Sequence, residues 1–306
     1  MKIRFWGVRG SIPCPGPDTV KYGGNTACIE LRFEDLNRFI IIDAGSGLRP
    51  FGNFIMQNDL PKGPIKTQLL ITHTHWDHIM GFPFFVPIFI PGTEISIYGP
   101  VTYEDEGLDK IIGNQLSYRY FPIRYSELSA KINYNPVKEC TMDFGDGIWV
   151  TTKYLNHPIL CLGYRIEYKG KTFCTAYDTE PFRNVFPTDP SAPDYDEIAA
   201  EEGEKAAQEE NDKLSTFFSG ADLLVHDCQY TKKEYLKDKL GWGHSSFEYA
   251  IQRAHKAKVK KLICFHHDPL RSDQELTDLL KKYQKMIQDK TRLKIDIARE
   301  GMEIEL

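Results

Sequence analysis

The stretch His73-Thr74-His75-Trp76-Asp77-His78 follows directly on the apolar run Leu69-Leu70-Ile71 and crowds four donor-bearing side chains into six residues. An extended chain alternates its faces with period two, so His73 and His75 project to the same side. Asp77 and His78 fall where the chain must turn away from the strand. Neutral imidazoles and a carboxylate are donors that suit Zn²⁺, Mn²⁺ or Fe²⁺. A lone histidine in an apolar setting is more often a hydrogen-bonded core residue than a ligand. Three histidines and an aspartate at one strand end are different, because burying them without a cation would leave polar groups unpaired at about 1–3 kcal/mol each.

Similar strand ends recur along the chain. Phe39-Ile40-Ile41-Ile42 runs into Asp43-Ala44-Gly45-Ser46-Gly47, and Val150 to Leu155 runs into Asn156-His157-Pro158. Lys171 to Ala176 runs into Tyr177-Asp178-Thr179, and Val259 to Phe265 runs into His266-His267-Asp268-Pro269. Taken singly, Asp43 reads as a turn residue, since Asp and Gly are turn formers. His157 and Asp178 read as surface or cap residues. Their order and their shared position at strand ends favour ligands instead. Gly243-His244-Ser245-Ser246-Phe247-Glu248 precedes an amphipathic stretch, Tyr249 to Lys258. Ser245 with Glu248 three residues on fits a capping box, which predicts Ser245 as the N-cap with His244 just before it. Free N–H groups at that helix end favour an anion such as phosphate.

The pattern H-x-H-x-D-H resembles the signature of the metallo-β-lactamase superfamily, which implies an α+β fold, the four-layer αββα sandwich. The resemblance implies that His73, His75 and His157 hold one divalent ion, that Asp77, His78 and His266 hold a second, and that Asp178 bridges them. It gives Asp43 the part of an outer partner that orients the ligand loop by hydrogen bonds. Gly243-His244-Ser245-Ser246, a helix, Lys260-Lys261-Leu262-Ile263 and Asp268-Pro269 are similar to the closing part of the ribonuclease Z and phosphodiesterase branch. That likeness implies that His244 assists departure of the leaving group. Its register selects His266 over His267 as ligand and leaves His267 as an outer partner or pocket-lining residue. The resemblance runs from the opening strand to about Ser272. It implies hydrolysis of a phosphodiester by a hydroxide shared between two ions, Zn or Mn with Fe sharing the same donors, and oriented in addition by Asp77.

Composition agrees with a soluble globular protein. The chain has 306 residues, 41% hydrophobic and 26% charged, which accommodates a single domain of this kind over 1–306. Insertion-like pieces are expected near 102–136 and 187–213. No apolar run approaches a membrane span, since prolines interrupt Phe82 to Pro91. The N-terminus lacks the apolar core of a signal peptide, and seven cysteines without a CxxC pair do not imply a disulfide framework. Cytoplasm is therefore the expected compartment. The closing segments Leu293 to Ala298 and Met302 to Leu306 read as a terminal hairpin turning at Arg299-Glu300-Gly301.

The first insertion is rich in aromatics: Tyr103, Tyr118, Tyr120, Phe121, Tyr125 and Tyr134. It suits either a lid that stacks on a flat group or a subdomain that packs on itself or on a second subunit. Arg119 and Arg124 within it are candidate phosphate contacts. The second insertion carries Glu201-Glu202-Gly203-Glu204 and Glu209-Glu210-Asn211-Asp212 and reads as an exposed helix, solvated on most faces. Acidic charge there, and a formal net charge of -5, oppose a polynucleotide backbone. Ribonuclease Z proteins usually grasp transfer RNA with a basic arm before the bridging Asp, and only a hairpin-sized stretch separates His157 from Asp178 here. The expected partner is a small phosphodiester, of cyclic nucleotide or cyclic sugar phosphate type, rather than tRNA or a membrane. Relatives are commonly dimers, which leaves a homodimer open. The competing functions are hydrolysis of a lactone, thioester or β-lactam, RNA 3′-end processing, and a scaffold without catalysis.

Overall fold

The computed structural model describes residues 1–101 and 106–306. Its first sheet is built from β1 (Lys2–Gly7), β2 (Cys28–Phe33), β3 (Arg38–Ile42), β4 (Lys66–Leu70), β5 (Glu94–Pro100) and β6 (Lys131–Val137). The second sheet contains β7 (Thr141–Asp143), β8 (Trp149–Leu155), β9 (Cys161–Tyr168), β10 (Lys171–Ala176), β11 (Leu223–Asp227), β12 (Lys261–Phe265) and β13 (Lys294–Ile297). The last strand, β14 (Glu303–Glu305), returns to the first sheet beside β1. Each sheet is half antiparallel and half parallel. The parallel halves are β3-β4-β5-β6 and β10-β11-β12-β13.

Residue alternation explains the layers. Ile40 and Ile42 of β3 point into a core shared with Tyr164, Phe173, Val225 and Ile263 of the second sheet, whereas Ile41 points the other way. On that outer side Ile41, Leu69 and Ile95 meet Leu48, Phe51 and Ile55 of α1 (Leu48–Asn58). Leu224 and Leu262 of the second sheet turn outward against Ala250 and Ala254 of α6 and Leu276 and Tyr283 of α7. Those two helices span Phe247–Lys256 and Asp273–Ile287. The remaining helices are α2 (Trp76–Ile79), α3 (Leu108–Gly113), α4 (Glu197–Phe217) and α5 (Lys232–Asp238). The result is the four-layer αββα sandwich, with strands buried on both faces reading as near-continuous apolar runs. Among the described residues no helix is long and apolar enough to cross a membrane.

Three expectations need correction. The terminal hairpin does not form: β13 pairs in parallel with β12, and β14 pairs antiparallel with β1 in the other sheet. Arg299-Glu300-Gly301 is a crossing between sheets, because the edge strand of each offers unpaired backbone groups that the two short segments fill separately. Ser245 is not the cap of α6. Ser246 is, accepting from Tyr249 N, while Ser245 Oγ donates to Thr179 O at 2.6 Å and Glu248 accepts from Lys232 N and Tyr283 OH. The 102–136 segment is not wholly an insertion, since β6 is its last part. Tyr103 lies outside the described residues. Phe121, Tyr125 and Tyr134 pack against the core outside the first sheet, which favours a segment folded on itself over a lid. The acidic segment forms α4 as expected, solvated on most faces, with one buried stripe of Ala200, Gly203, Ala207, Asn211 and Leu214.

Candidate metal centre

The site lies beyond the C-terminal ends of the parallel strands and of antiparallel β8, where open α/β sheets leave a crevice because successive loops diverge. β3 delivers Asp43, the β4 exit delivers His73 and His75, and α2 carries Asp77 and His78. From the second sheet, β8 leads to His157, β10 to Asp178, β11 to Asp227 and β12 to His266. Asp43 and His266 both take left-handed backbone conformations at their strand ends, with φ of 61° and 58°. Such conformations cost a residue with a β-carbon about 1–3 kcal/mol and persist where surrounding contacts over-determine them.

Two groups of donors meet. His73, His75, His157 and Asp178 bring ligand atoms within 4.8 Å of one another, and so do Asp77, His78, Asp178 and His266. Asp178 is common to both. Its Oδ1 lies 3.2 Å from the Nε2 atoms of His78 and His266, and its Oδ2 lies 3.5 Å from His73 Nε2. His73 Nε2 and Asp178 Oδ1 are buried without a hydrogen-bond partner. An orphaned lone pair on the His73 side and an orphaned carboxylate oxygen on the His78–His266 side fit one divalent cation in each group, which would satisfy both.

Outer contacts set which nitrogen faces the centre. His157 Nδ1 donates to Gly243 O at 2.9 Å, and His78 Nδ1 donates to Asp43 Oδ2 at 2.7 Å, so each turns Nε2 inward. Asp43 also accepts from Thr72 N at 2.7 Å and Thr72 Oγ1 at 2.8 Å, pinning the loop that begins the His motif. Asp77 Oδ2 accepts from Ser11 N at 2.7 Å. Gly10 must be glycine for this loop to sit so close: a β-carbon there would fall 2.3 Å from His266 Cε1. His267 turns away, with Nε2 on Ala298 O at 2.8 Å and its backbone N–H donating to Val8 O, and fastens the β12 exit to the opening strand.

Electrostatics separates the two groups. Burial holds His73 and His75 below their ordinary range and His157 down to about 4, so these present neutral imidazoles. Burial also works against a charged His78, yet the carboxylates of Asp178, Asp77 and Asp43 outweigh it and hold this ring protonated. Burial pushes Asp77 and Asp178 up, but the histidines around them bring both well below the carboxylate range. The carboxylates thus draw positive charge into the centre, where protons on histidine stand in for cations.

His244 sits at the edge. Its Nδ1 donates to Asp227 Oδ2 at 2.9 Å, and its ring stacks on that of His266 with centroids 4.9 Å apart. Burial lowers its basicity, but the Asp227 charge and hydrogen bond prevail and raise the imidazole to about 9. Asp227 is a site residue that the sequence reading missed. Its signal was the buried run Leu223-Leu224-Val225-His226-Asp227, one more apolar strand ending in an acid. The Ser11 N–H was invisible, as a backbone donor leaves no mark in residue type. Among the described residues, neither Arg119 nor Arg124 contacts a site residue, and the Arg124 guanidinium lies over Tyr118 instead, 4.3 Å from its ring centroid.

The family model described as the Metallo-beta-lactamase superfamily matches residues 23–220. The chain belongs to the metallo-β-lactamase superfamily. It is thereby a hydrolase of that superfamily, and its paired His/Asp clusters fit a dinuclear divalent metal site. Among curated relatives it is 28% identical over 299 residues to a ribonuclease Z of Lactococcus lactis subsp. lactis (strain IL1403), covering 87% of this chain and 88% of that one. Two solved structures share the superfamily fold over the full chain. The metallo-β-lactamase fold protein YhfI of Bacillus subtilis superposes with a TM-score of 0.65 at 17% identity, covering 100% of this chain and 99% of that one. A diphosphatase of the PhnP family superposes with a TM-score of 0.60 at 15% identity, covering 100% and 97%.

Proposed function

We propose that this protein is a dinuclear metal-dependent phosphodiesterase acting on small phosphodiesters, of the cyclic nucleotide or cyclic sugar phosphate kind. The observation that carries the reading is the Asp227–His244 pair, 2.9 Å apart, set against the edge of the two clusters. In-line attack on a phosphodiester builds charge on the non-bridging oxygens and on the departing alkoxide. A fixed imidazolium beside the centre answers both needs.

In this reading His73, His75 and His157 would hold one ion, Asp77, His78 and His266 would hold the other, and Asp178 would serve both. Bound divalent ions, with Zn²⁺, Mn²⁺ and Fe²⁺ all suited to these donors, supply Lewis acidity and a water ready to attack near neutral pH. The chain's own residues do the rest. Asp77, fixed by Ser11 N–H, offers an oxygen that orients the attacking water. His244, with Nδ1–H committed to Asp227, keeps Nε2–H for the leaving oxygen. The P–O bond to that oxygen breaks as the proton moves from Nε2, and water regenerates the imidazolium.

Similarity to proteins named ribonuclease Z supports phosphodiester chemistry. The acidic α4, the net charge of -5 and the short β9–β10 hairpin between His157 and Asp178 support a small substrate over tRNA. The test is hydrolysis of bis(p-nitrophenyl) phosphate by protein loaded separately with Zn²⁺ and Mn²⁺, alongside His244→Ala. Metal-dependent turnover is expected, with a loss of about 10²–10⁴-fold in the variant at unchanged metal content. No turnover with either metal, despite two ions bound per chain, would move the assignment to lactone or thioester hydrolysis.

A further inference from the structure

The mouth of the site carries apolar surface that the mechanism above does not use. His75 and His244 keep part of their surface in solvent, whereas His73, His78, Asp178 and His266 are buried. A substrate therefore enters past His75 and His244. Trp76, which follows His75, is 80% exposed, and Trp242, two residues before His244, is 56% exposed. One short chain of contacts links them: His75 Nδ1 lies 3.1 Å from His157 Nε2, and His157 Nδ1 lies 2.9 Å from the carbonyl of Gly243, the neighbour of Trp242. Ile159, just beyond His157-Pro158, adds a partly exposed aliphatic side chain.

Tryptophan carries a large apolar area and is enriched where proteins meet ligands and partners. The Trp242 ring is also held in place. Lys239 Nζ lies 4.1 Å from its centroid, covering one face and fixing a cation near the mouth, where the ester is anionic. Glu180 fastens the same loop from below, accepting from Gly241 N at 2.9 Å and from Tyr235 OH at 3.1 Å. A ring held over a cation presents its other face without the entropy loss of ordering a free side chain.

We propose that Trp76 and Trp242 stack on the base of a nucleoside substituent, so that the natural phosphodiester bears a nucleobase rather than being a bare sugar phosphate. This rests on the phosphodiesterase reading. Stacking a base on an aromatic side chain contributes about 1–3 kcal/mol, which converts to roughly 5- to 150-fold in kcat/KM.

The test compares two diesters that share the p-nitrophenolate leaving group, thymidine 5′-(p-nitrophenyl phosphate) and methyl p-nitrophenyl phosphate. Metal-loaded wild type, Trp76→Ala, Trp242→Ala and Trp242→Phe are assayed on both, with their masses followed by sedimentation. The wild type is expected to favour the thymidine ester by about tenfold or more in kcat/KM. Each alanine variant should lower that ratio about fivefold or more, and Trp242→Phe should recover most of the loss. Both esters turning over with a ratio unmoved in both alanine variants would overturn the assignment while leaving the phosphodiesterase reading intact. An unmoved ratio together with a drop in mass would give the indoles to a contact between copies of the chain, which also overturns it. Failure of the wild type to hydrolyse either ester would remove both readings.

Discussion

Replacing Asp43 separates three physical contributions to the site. This carboxylate is fully buried, takes φ of 61°, and accepts from Thr72 N, Thr72 Oγ1 and His78 Nδ1 at 2.7–2.8 Å. In Asp43→Ala the Thr72 hydroxyl oxygen still accepts from His73 Nδ1–H, 3.1 Å away. Thr72 N–H and His78 Nδ1–H are then left buried without acceptors, at about 1–3 kcal/mol each. The left-handed backbone adds about 1 kcal/mol once the residue is alanine. The expected loss is thus about 3–7 kcal/mol out of a stability of roughly 5–15. Asp43→Gly should lie about 1 kcal/mol above the alanine variant, since glycine relieves only the backbone strain. Asp43→Asn tolerates φ > 0 and keeps one acceptor for Thr72 N–H, so it should fold. Its amide no longer draws the His78 proton outward, and metal should bind about 10–100-fold more weakly. Urea unfolding of chelator-stripped protein gives the stabilities, and metal titration gives the affinities. An alanine variant within about 1 kcal/mol of wild type, or an asparagine variant with wild-type metal affinity, would refute the reasoning.

Two further outcomes follow from contacts outside the ligand set. Glu180 holds the loop that carries Gly243 and His244, so Glu180→Ala should lower kcat about 10–100-fold, while Glu180→Gln keeps an acceptor oxygen and should recover most of it; equal losses in both variants would rule out that anchoring role. For Glu234, burial raises the carboxyl, but the Arg271 guanidinium and the Thr231 donors outweigh it and bring it down to about 2. A depressed carboxyl stabilises the fold fully above its unfolded value of about 4.5 and loses that contribution as pH falls towards 2. Unfolding of wild type and Glu234→Gln should therefore differ most near pH 6 and converge between pH 4.5 and 2, and a gap that widens on acidification would contradict the pairing.

Much of the centre was legible because its determinants are local. His73, His75, Asp77 and His78 lie within six residues, and the period-two rule alone puts the first two on one side of the chain. Asp43, Asp178 and His266 each end an apolar strand of the parallel halves, whose C-terminal ends are where polar side chains converge, and His157 reaches the same place from antiparallel β8. Asp227 carries the same local mark and was missed, because nothing in its own segment names its partner 17 residues away.

Non-local competition settled the rest. Leu293 to Ala298 and Met302 to Leu306 have the alternation of a hairpin, but pairing is governed by which edges stand open, and the edges of β12 and β1 claimed one segment each. Ser245 and Ser246 are equivalent as capping residues in composition. The Thr179 carbonyl, brought close by folding, takes the first hydroxyl and leaves the second to cap α6. Chain chemistry therefore identified the donors and the strands that carry them. Which strand edges meet, which backbone N–H finds Asp77, and which aromatic rings are left uncovered at the mouth depend on contacts between residues far apart in the chain, and those exist only once the two sheets have packed.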